Sequence, residues 1–405
     1  MGALSLHVFM LSLWKGFRGV REEEVRSLFV HWNRPAADRA RGEKMANKNL
    51  SKAKNAKNDE FYTQYADIQN EVNAYLDYDA DVFRGKTVLL PCDDPEWSNF
   101  TKFFAQNFQR FGLKKLISTS FAAESKNYKH IYQPSLFEEE SPQFDKKKTK
   151  VRGKIFVLDH DTNNNGKIDI EDLEWKYLEG DGDFRSEEVK KLRDEADIIV
   201  TNPPFSLFRE YVAQLIKYEK KFLIIGNVNS LICKEIFPLV SDNKLWLGAS
   251  IHSGDRKFGV PESYPLNAAG CGIDENGQRF IRVKGVRWFT NMDYPQRHEK
   301  LPLYKKYTSE EFPKYDNYDV ININKTSDIP FDYEGVMGVP VTFMDKYNPE
   351  QFEVIWQASG NTRACAPKEV LEEVGYRVHP EDRGGCGVLN GKRMFTRILI
   401  RRKQS

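Results

Sequence analysis

The tetrapeptide Asn202-Pro203-Pro204-Phe205 directly follows an apolar run, IIVT at 198–201, that predicts a buried strand. Consecutive prolines fix the backbone and restrict the residue before them, so this stretch ends the strand abruptly and holds the next groups in one rigid shape. Ligands of α/β proteins bind at the carboxyl ends of strands. The motif is therefore a candidate catalytic turn, and the alternative is a Pro-Pro turn that only caps the strand.

The chemistry that needs such a turn is methylation of an amino group on a planar base. An exocyclic amine is a weak nucleophile because its lone pair is delocalised into the ring. Acceptors aimed at its two hydrogens favour the pyramidal form, and the Asn202 amide carbonyl and the proline-stiffened carbonyl of Pro203 are suitable. Positioning of this kind supplies up to about 7–11 kcal/mol. Phe205 could stack on the base, which is worth about 1–3 kcal/mol.

The elements around the motif alternate between apolar strands and amphipathic helices. Such alternation predicts an α/β fold with a doubly wound, mostly parallel sheet covered on both faces. The runs that read as strands number about seven, with a closing hairpin at the end: KTVLLP, KKLIST, KIFVLD, ADIIVT, KFLIIGNV, NKLWLGA and VRWFTNM.

Composition sets broad limits on the protein class. A chain of 405 residues is long enough for two domains, and a net charge of +2 provides no global field for a nucleic acid. Five scattered cysteines without a CxxC pair indicate reduced thiols in a cytoplasm. The apolar start, MGALSLHVFMLSLW, is too short to span a bilayer, so no membrane partner is expected. Residues 1–44 are expected to be a disordered N-terminal extension.

Several stretches together resemble the EcoRI-type adenine-specific DNA methyltransferases, which use S-adenosylmethionine. The resemblance runs from about Met45 to the C-terminus, and the stretches that carry it are KNDEFYTQ, PCDDPEWSNF, GDGDFRSEE, TNPPFSLF, VRWFTN and GVMGVPVTFMDKYNPEQFEV. It implies a seven-stranded methyltransferase sheet at 45–295 and a C-terminal α+β DNA-recognition region at 296–405. It also implies catalytic roles for Asn202, Pro203, Pro204 and Phe205.

The resemblance also implies a cofactor pocket for S-adenosyl-L-methionine. The first strand ends without the usual glycine-rich turn, and two acids and a helix start replace it. The implied cofactor-binding residues are Phe61, Tyr62, Thr63, Pro91, Asp93, Asp94, Ser98, Asn99, Asp183 and Phe184. The alternatives are plain helix capping around Asn99, a capped helix start with a buried Phe61, and a polar Gly-Asp loop at Asp183. The ribose contact stays unassigned.

A polar insertion, DTNNNGKIDIED within 159–172, has the spacing of an EF-hand calcium loop. A helix is expected to follow it in IEDLEWKYL, whereas a strand precedes it. We favour an insertion with turn chemistry and no bound metal, and Ca²⁺ remains the alternative ligand. The candidate ligands are Asp161, Asn163, Asn165, Asp169 and Asp172.

Basic residues cluster in three places that could contact a phosphate backbone. The first is a lysine-rich arm after Met45, which is equally well a solvated tail. The second is a long Gly-rich segment between the last two strands. The third is the C-terminal tail, NGKRMFTRILIRRK, whose cations could also be the wet face of a strand.

The sequence therefore predicts a monomeric, cytoplasmic DNA adenine N6-methyltransferase that acts on a flipped base in double-stranded DNA. It would belong to a restriction-modification or orphan modification system, with a cognate restriction endonuclease as a candidate partner. One alternative is an RNA or protein-glutamine methyltransferase. Another is a catalytically inactive DNA-binding module with a calcium-organised loop.

Overall fold

A computed structural model describes residues 62–92, 98–122, 141–260, 264, 266–267 and 270–403. The helices in this part are α1 (Tyr65–Tyr78), α2 (Asn99–Gln106), α3 (Phe108–Phe111), α4 (Lys146–Val151), α5 (Glu187–Glu195), α6 (Phe208–Lys217), α7 (Phe237–Ser241), α8 (Thr362–Cys365) and α9 (Lys368–Glu373). The strands are β1 (Thr87–Leu90), β2 (Lys115–Ser120), β3 (Lys154–Leu158), β4 (Glu174–Tyr177), β5 (Ile198–Thr201), β6 (Lys221–Asn227), β7 (Trp246–Leu247), β8 (Asp255–Gly259), β9 (Gly272–Ile273), β10 (Arg279–Lys284), β11 (Val286–Thr290), β12 (Ile321–Asn322), β13 (Met337–Pro340), β14 (Phe352–Ala358), β15 (Val388–Leu389), β16 (Lys392–Arg393) and β17 (Arg397–Arg402).

The largest sheet in the described part has eight strands in the order β4-β3-β2-β1-β5-β6-β11-β7. Its four central strands run parallel, and the pairs outside them run antiparallel. The prediction of a mostly parallel, seven-stranded sheet is corrected on both points. At one edge, residues 159–173 connect β3 to β4 without an α-helix, and an antiparallel pair needs no crossover helix.

The central strands are apolar throughout because both of their faces are covered. In β1, Leu89 belongs to an apolar cluster with residues of α5 and α6, whereas Val88 and Leu90 belong to a second cluster with residues of α1, α2 and α3. Successive side chains of a strand point to opposite faces, so helices cover the sheet on both sides. The mixed α/β class is confirmed.

The long segment between β7 and β11 was expected to be a Gly-rich loop. Much of it folds instead into a three-stranded antiparallel sheet in the order β8-β10-β9. Phe258, Ile281 and Val283 of this sheet join the same apolar cluster as α1. The sheet therefore packs beside the elements that begin the described chain.

The C-terminal part contains a four-stranded sheet in the order β12-β13-β17-β14. Ile321, Met337 and Trp356 of this sheet share an apolar cluster with Leu89 of β1. The two sheets therefore bury apolar surface together. A domain boundary at 295/296 stays a prediction.

Two further features concern the protein class. No helix in the described ranges combines the length and apolar character that a membrane crossing requires. All five cysteines lie in the described part of the chain, and none of them forms a disulfide.

Candidate active site

The Asn-Pro-Pro-Phe turn leaves β5 at the same sheet edge at which β1 ends. The two strands are parallel neighbours, and the Thr201 hydroxyl donates a hydrogen bond to the Pro91 carbonyl, joining the two strand ends. Asn202 is buried at 8 % exposure, and Pro203 is buried beside it. Phe205 is half-buried against the apolar cluster of α1 and α2. The turn thus lies next to the end of the predicted cofactor strand.

The start of α6 fixes the other end of this turn. The Leu207 amide donates to the Pro204 carbonyl at 2.9 Å, and α6 begins at the next residue, Phe208. The buried Phe208 ring meets Phe289 of β11 with a centroid distance of 4.8 Å. A Cβ atom at Gly226 of β6 would lie 2.4 Å from the Phe208 ring, so only glycine leaves the ring its place. Contacts at the end of β5 and at the start of α6 therefore hold the turn at both of its ends.

A second polar group of residues forms where α2 begins. The Asn99 side chain donates to the Thr63 carbonyl at 2.7 Å, and the Ser98 hydroxyl caps α2 by accepting from the Phe100 amide at 3.0 Å. Thr63 is buried at 3 % exposure, and its Oγ1 has no hydrogen-bond partner within the described residues. An unpaired buried polar group costs about 1–3 kcal/mol. A ligand group beside the start of α2 would remove this cost, and a helix N-terminus favours an anion.

The segment containing Tyr62 and Thr63 connects the small sheet to α2. The backbone of Tyr62 exchanges two hydrogen bonds of 2.9 Å with Gly259 of β8. Since Thr63 binds Asn99, three predicted cofactor residues, Tyr62, Thr63 and Asn99, lie in one connected region. The predicted residues Phe61, Asp93 and Asp94 lie outside the described residues.

Glu71 of α1 is a fully buried carboxylate that the sequence reading missed. Its oxygens accept from the Ala249 amide at 2.8 Å, from the Ser250 amide at 2.7 Å and from the Ser250 hydroxyl at 2.6 Å. Burial raises the pKa of Glu71. Its signal in the sequence was its place on the apolar stripe of Ile68 and Val72. Glu71 anchors α1 to the chain that leads into β8.

The Gly-Asp loop before α5 is seated against the end of β2. Gly182 has a φ of +84°, and a Cβ atom there would lie 2.2 Å from the Ser120 carbonyl oxygen. Only glycine therefore allows this approach. The loop places Asp183 at the sheet edge where β1 and β5 also end.

The side chains of this loop have partners within the protein. Both carboxylate oxygens of Asp183 accept from the Arg185 guanidinium, at 2.8 Å from Nε and 2.5 Å from Nη2. These hydrogen bonds raise the pKa of Arg185 above its usual value. Phe184 is a buried residue whose ring meets Tyr211 of α6 in an edge contact with a centroid distance of 4.9 Å. Phe184 thus packs between the loop and α6, the helix that follows the Asn-Pro-Pro-Phe turn.

The calcium-like loop satisfies its own oxygens. Asp172 accepts from the amides of Thr162, Asn163 and Asp169 and from the Thr162 hydroxyl, and Asp161 accepts from the amides of Asn165 and Gly166. The side chains of the other three candidate ligands also accept hydrogen bonds from backbone amides of the loop. These ligands are Asn163, Asn165 and Asp169.

No group of three His, Cys, Asp or Glu side chains in the described ranges is placed to hold a metal ion. The structure therefore gives the Ca²⁺ hypothesis no support. The prediction of a helix after the loop is wrong. The chain forms a 3₁₀ turn at Ile170–Asp172 and then β4, in which Trp175 and Tyr177 alternate with exposed Glu174 and Lys176.

Comparison with known proteins identifies the family. A family model described as "Adenine-specific methyltransferase EcoRI" matches residues 49–403. The chain is 46% identical over 360 residues to the Type II methyltransferase M.EcoRI of Escherichia coli, covering 88% of this chain and 97% of that protein.

Two mycoplasma proteins are also similar. The Type II methyltransferase M.MpnI of Mycoplasma pneumoniae is 34% identical over 361 residues, which cover 88% of this chain and 98% of that protein. The Type II methyltransferase M.MgeORF184P of Mycoplasma genitalium is 33% identical over 360 residues, which cover 88% and 99%. No solved structure matches. The chain belongs to the family of EcoRI adenine-specific methyltransferases.

Proposed function

We propose that this protein transfers a methyl group from S-adenosylmethionine to the N6 amine of adenine at a specific site in double-stranded DNA. The observation that carries the proposal is the bond between the Thr201 hydroxyl and the Pro91 carbonyl. It joins the end of the strand that leads to the catalytic turn to the end of the strand expected to bind the cofactor. A methyl donor and an amine acceptor need this proximity.

The residues at the start of α2 fit the carboxylate of the cofactor. The Thr63 hydroxyl is buried without a partner among the described residues, and Ser98 and Asn99 lie at the N-terminus of the helix. The Asp183 loop would hold the other end of the cofactor, at the adenine amino group. S-adenosylmethionine, when bound, supplies the electrophilic methyl group.

The catalytic turn would orient the adenine. The Asn202 side-chain carbonyl and the Pro203 backbone carbonyl would accept the two hydrogens of the amine, so that its lone pair is free to react. Pro204 makes the turn stiff, and Phe205 would stack on the base. Asn202 and Pro203 are buried, so water competes little for these acceptors. The adenine must leave the duplex to reach them.

The other assignments follow from this function. Residues 296–405 would recognise the target sequence. The protein would act as a cytoplasmic monomer, as the modification partner of a restriction endonuclease or alone. The named relatives, all Type II methyltransferases, support a role in a restriction-modification system.

A methyl-transfer assay with labelled S-adenosylmethionine tests the proposal. Duplex DNA, RNA and protein are offered separately, and we expect label only in DNA, at adenine N6. Label in RNA or in protein glutamine would instead support the alternative substrates. No transfer, together with no cofactor binding in calorimetry, would support an inactive binding module.

A further inference from the structure

The three-stranded sheet β8-β10-β9 has one apolar face and one basic face. In β10, Ile281 and Val283 are buried at 6 % and 4 % exposure, whereas Arg282 and Lys284 between and after them are exposed. Successive side chains of a strand alternate between faces. The exposed basic face therefore lies opposite the face that packs on the core.

Two of the five cationic side chains in this sheet lie on the face that packs on the core. Arg256 lies two positions before the buried Phe258 on β8, so the two residues share the core face. Burial raises the pKa of Asp67 of α1, and the nearby charge of Arg256 lowers it. Arg279 donates to the Tyr264 carbonyl at 2.7 Å. Both arginines are half-buried. Because both side chains are half-buried on the core side of the sheet, they are poorly placed for a partner on the exposed face.

The other three cations lie on the exposed face, where like charges are held together. Arg282 is directly opposite Lys257 in the register, and like charges in this position destabilise a sheet. Lys257 pairs with Asp274 at 2.6 Å, but Arg282 and Lys284 form no salt bridge within the described residues. Lys284 lies opposite Asp255 without pairing to it. Arg282 and Lys284 are therefore the two exposed cations of this face that are not held in a salt bridge within the described residues.

An aromatic ring lies between these cations. The Lys257 ammonium is 4.5 Å from the centroid of the Phe280 ring, and the Arg282 guanidinium carbon is 6.0 Å from it. Phe280 lies between glycines on both neighbouring strands, Gly259 and Gly272. The basic face therefore has a flat centre without neighbouring side chains across the strands.

This face is connected to the candidate active site. Gly259 at the end of β8 is hydrogen-bonded to Tyr62, and the inner residue Phe258 shares an apolar cluster with Phe205 of the catalytic turn. A partner held on the basic face would thus be close to the elements that bind the cofactor and the base. Arg282 and Lys284, which form no salt bridge within the described residues, could bind phosphates in this position.

We propose that the exposed face of the β8-β10-β9 sheet, through Arg282 and Lys284, binds the phosphate backbone of the DNA that carries the target adenine. The inference rests on the proposed function and deepens it. Because the contacts are to phosphates, they add affinity equally for target and non-target sequences.

The test is a double charge reversal, Arg282→Glu with Lys284→Glu, in the full-length protein. The matched control is Lys86→Glu with Lys114→Glu, since Lys86 and Lys114 are also exposed but lie before the amino ends of β1 and β2, at the opposite sheet edge. DNA affinity is measured over a range of salt concentrations, with unmethylated duplexes that contain or lack the target sequence. S-adenosylmethionine affinity and melting temperature report on folding.

We expect the Arg282 and Lys284 reversal to weaken binding of both duplexes roughly tenfold or more and to reduce the salt slope by about 2. The control reversal should leave the slope unchanged, and Arg282→Lys should retain most of the affinity. Equal effects of the two reversals, or loss on only one duplex, would overturn the inference. If wild-type protein methylates DNA while the reversal binds normally, only this inference fails. If wild-type protein neither binds nor methylates DNA, the proposed function fails with it.

Discussion

The start of α2 and the loop at Asp161–Asp172 both gather oxygen atoms, but they differ in whether those atoms already have partners. In the loop, each candidate ligand side chain accepts at least one backbone amide of the loop itself. Beside α2, the buried Thr63 hydroxyl has no partner in the described residues. The spacing of polar residues is similar in kind in the two regions, whereas the state of their hydrogen bonds distinguishes them.

The Asn-Pro-Pro-Phe turn also differs from the loop in how it is held by the rest of the fold. The turn lies between the end of β5 and α6, where Thr201 contacts the end of β1 and Phe208 contacts β11. The loop joins β3 to the edge strand β4, and its residues 162–167 are all exposed. Changes in the first region should affect turnover or ligand binding, and changes in the second should affect stability.

The largest expected effect is that of Asn202→Ala on turnover. If the Asn202 carbonyl orients the amine in the transition state, the rate should fall by about 10²–10³-fold. Cofactor binding should change little. Methyl transfer is measured under single-turnover conditions. Asn163→Ala in the loop is the control and should keep the wild-type rate, so near-normal turnover in Asn202→Ala would remove the basis of the mechanism.

Thr63→Val should separate ligand binding from stability. If the Thr63 hydroxyl binds the cofactor carboxylate, its loss should weaken cofactor binding by about 1.5–3 kcal/mol. The ligand-free protein should not become less stable, because an unpaired buried hydroxyl is removed. Calorimetry and thermal melting measure the two quantities.

The control for Thr63 is Thr290→Val. The buried Thr290 hydroxyl donates to the Phe222 carbonyl at 2.8 Å and accepts from the Met292 amide at 2.9 Å. This substitution should lower stability without affecting cofactor affinity. A Thr63→Val protein that behaves like Thr290→Val would place Thr63 among the structural residues.

Phe205→Ala should weaken the productive complex with DNA by about 1–3 kcal/mol if the ring stacks on the base. Phe205→Tyr and Phe205→Trp should retain much of the affinity, since both keep a flat ring. Binding to DNA with and without the target site measures the effect. Equal losses for Ala and Tyr would mean that Phe205 is a packing residue of the α1 cluster.

Asp172→Ala should give the smallest functional effect, a lower melting temperature with unchanged turnover. The Asp169 amide is the main cause that lowers the pKa of Asp172, opposed by burial. A lowered pKa stabilises the fold above the unfolded value of about 3.9 and loses this contribution as pH falls through the folded value. The difference from wild type should therefore shrink below about pH 4.

Calcium should have little effect on either protein. Micromolar calcium should not shift the melting temperature of the wild type, because the loop oxygens already accept hydrogen bonds. A large shift that follows mass action and disappears in Asp161→Ala would instead establish a calcium site.

The sequence predicted those features that depend on local chemistry. The apolar runs before Pro91 and Asn202 became adjacent buried strands, and Ser98 caps α2 as its position indicated. The direction of β3 and the fold of the segment around β8 could not be predicted in this way. They depend on which strand edge a segment meets, and that is decided by contacts distant in sequence.

The contacts of individual side chains were harder to predict. The Gly-Asp loop is recognisable from its sequence, but the ion pair between Asp183 and Arg185 is not, although the two residues are only two positions apart. Glu71 was missed because a glutamate on an exposed helix face is the usual case. Its partners, Ala249 and Ser250, are almost 180 residues away in the chain.

Mapping of modified bases tests the central claim most directly. DNA is sequenced for N6-methyladenine from a host that expresses the wild-type protein and from one that expresses Asn202→Ala. We predict methylated adenine at one short recurring sequence in the first host and none at that sequence in the second. Unmethylated DNA in the first host, or equal methylation in both, would contradict the account.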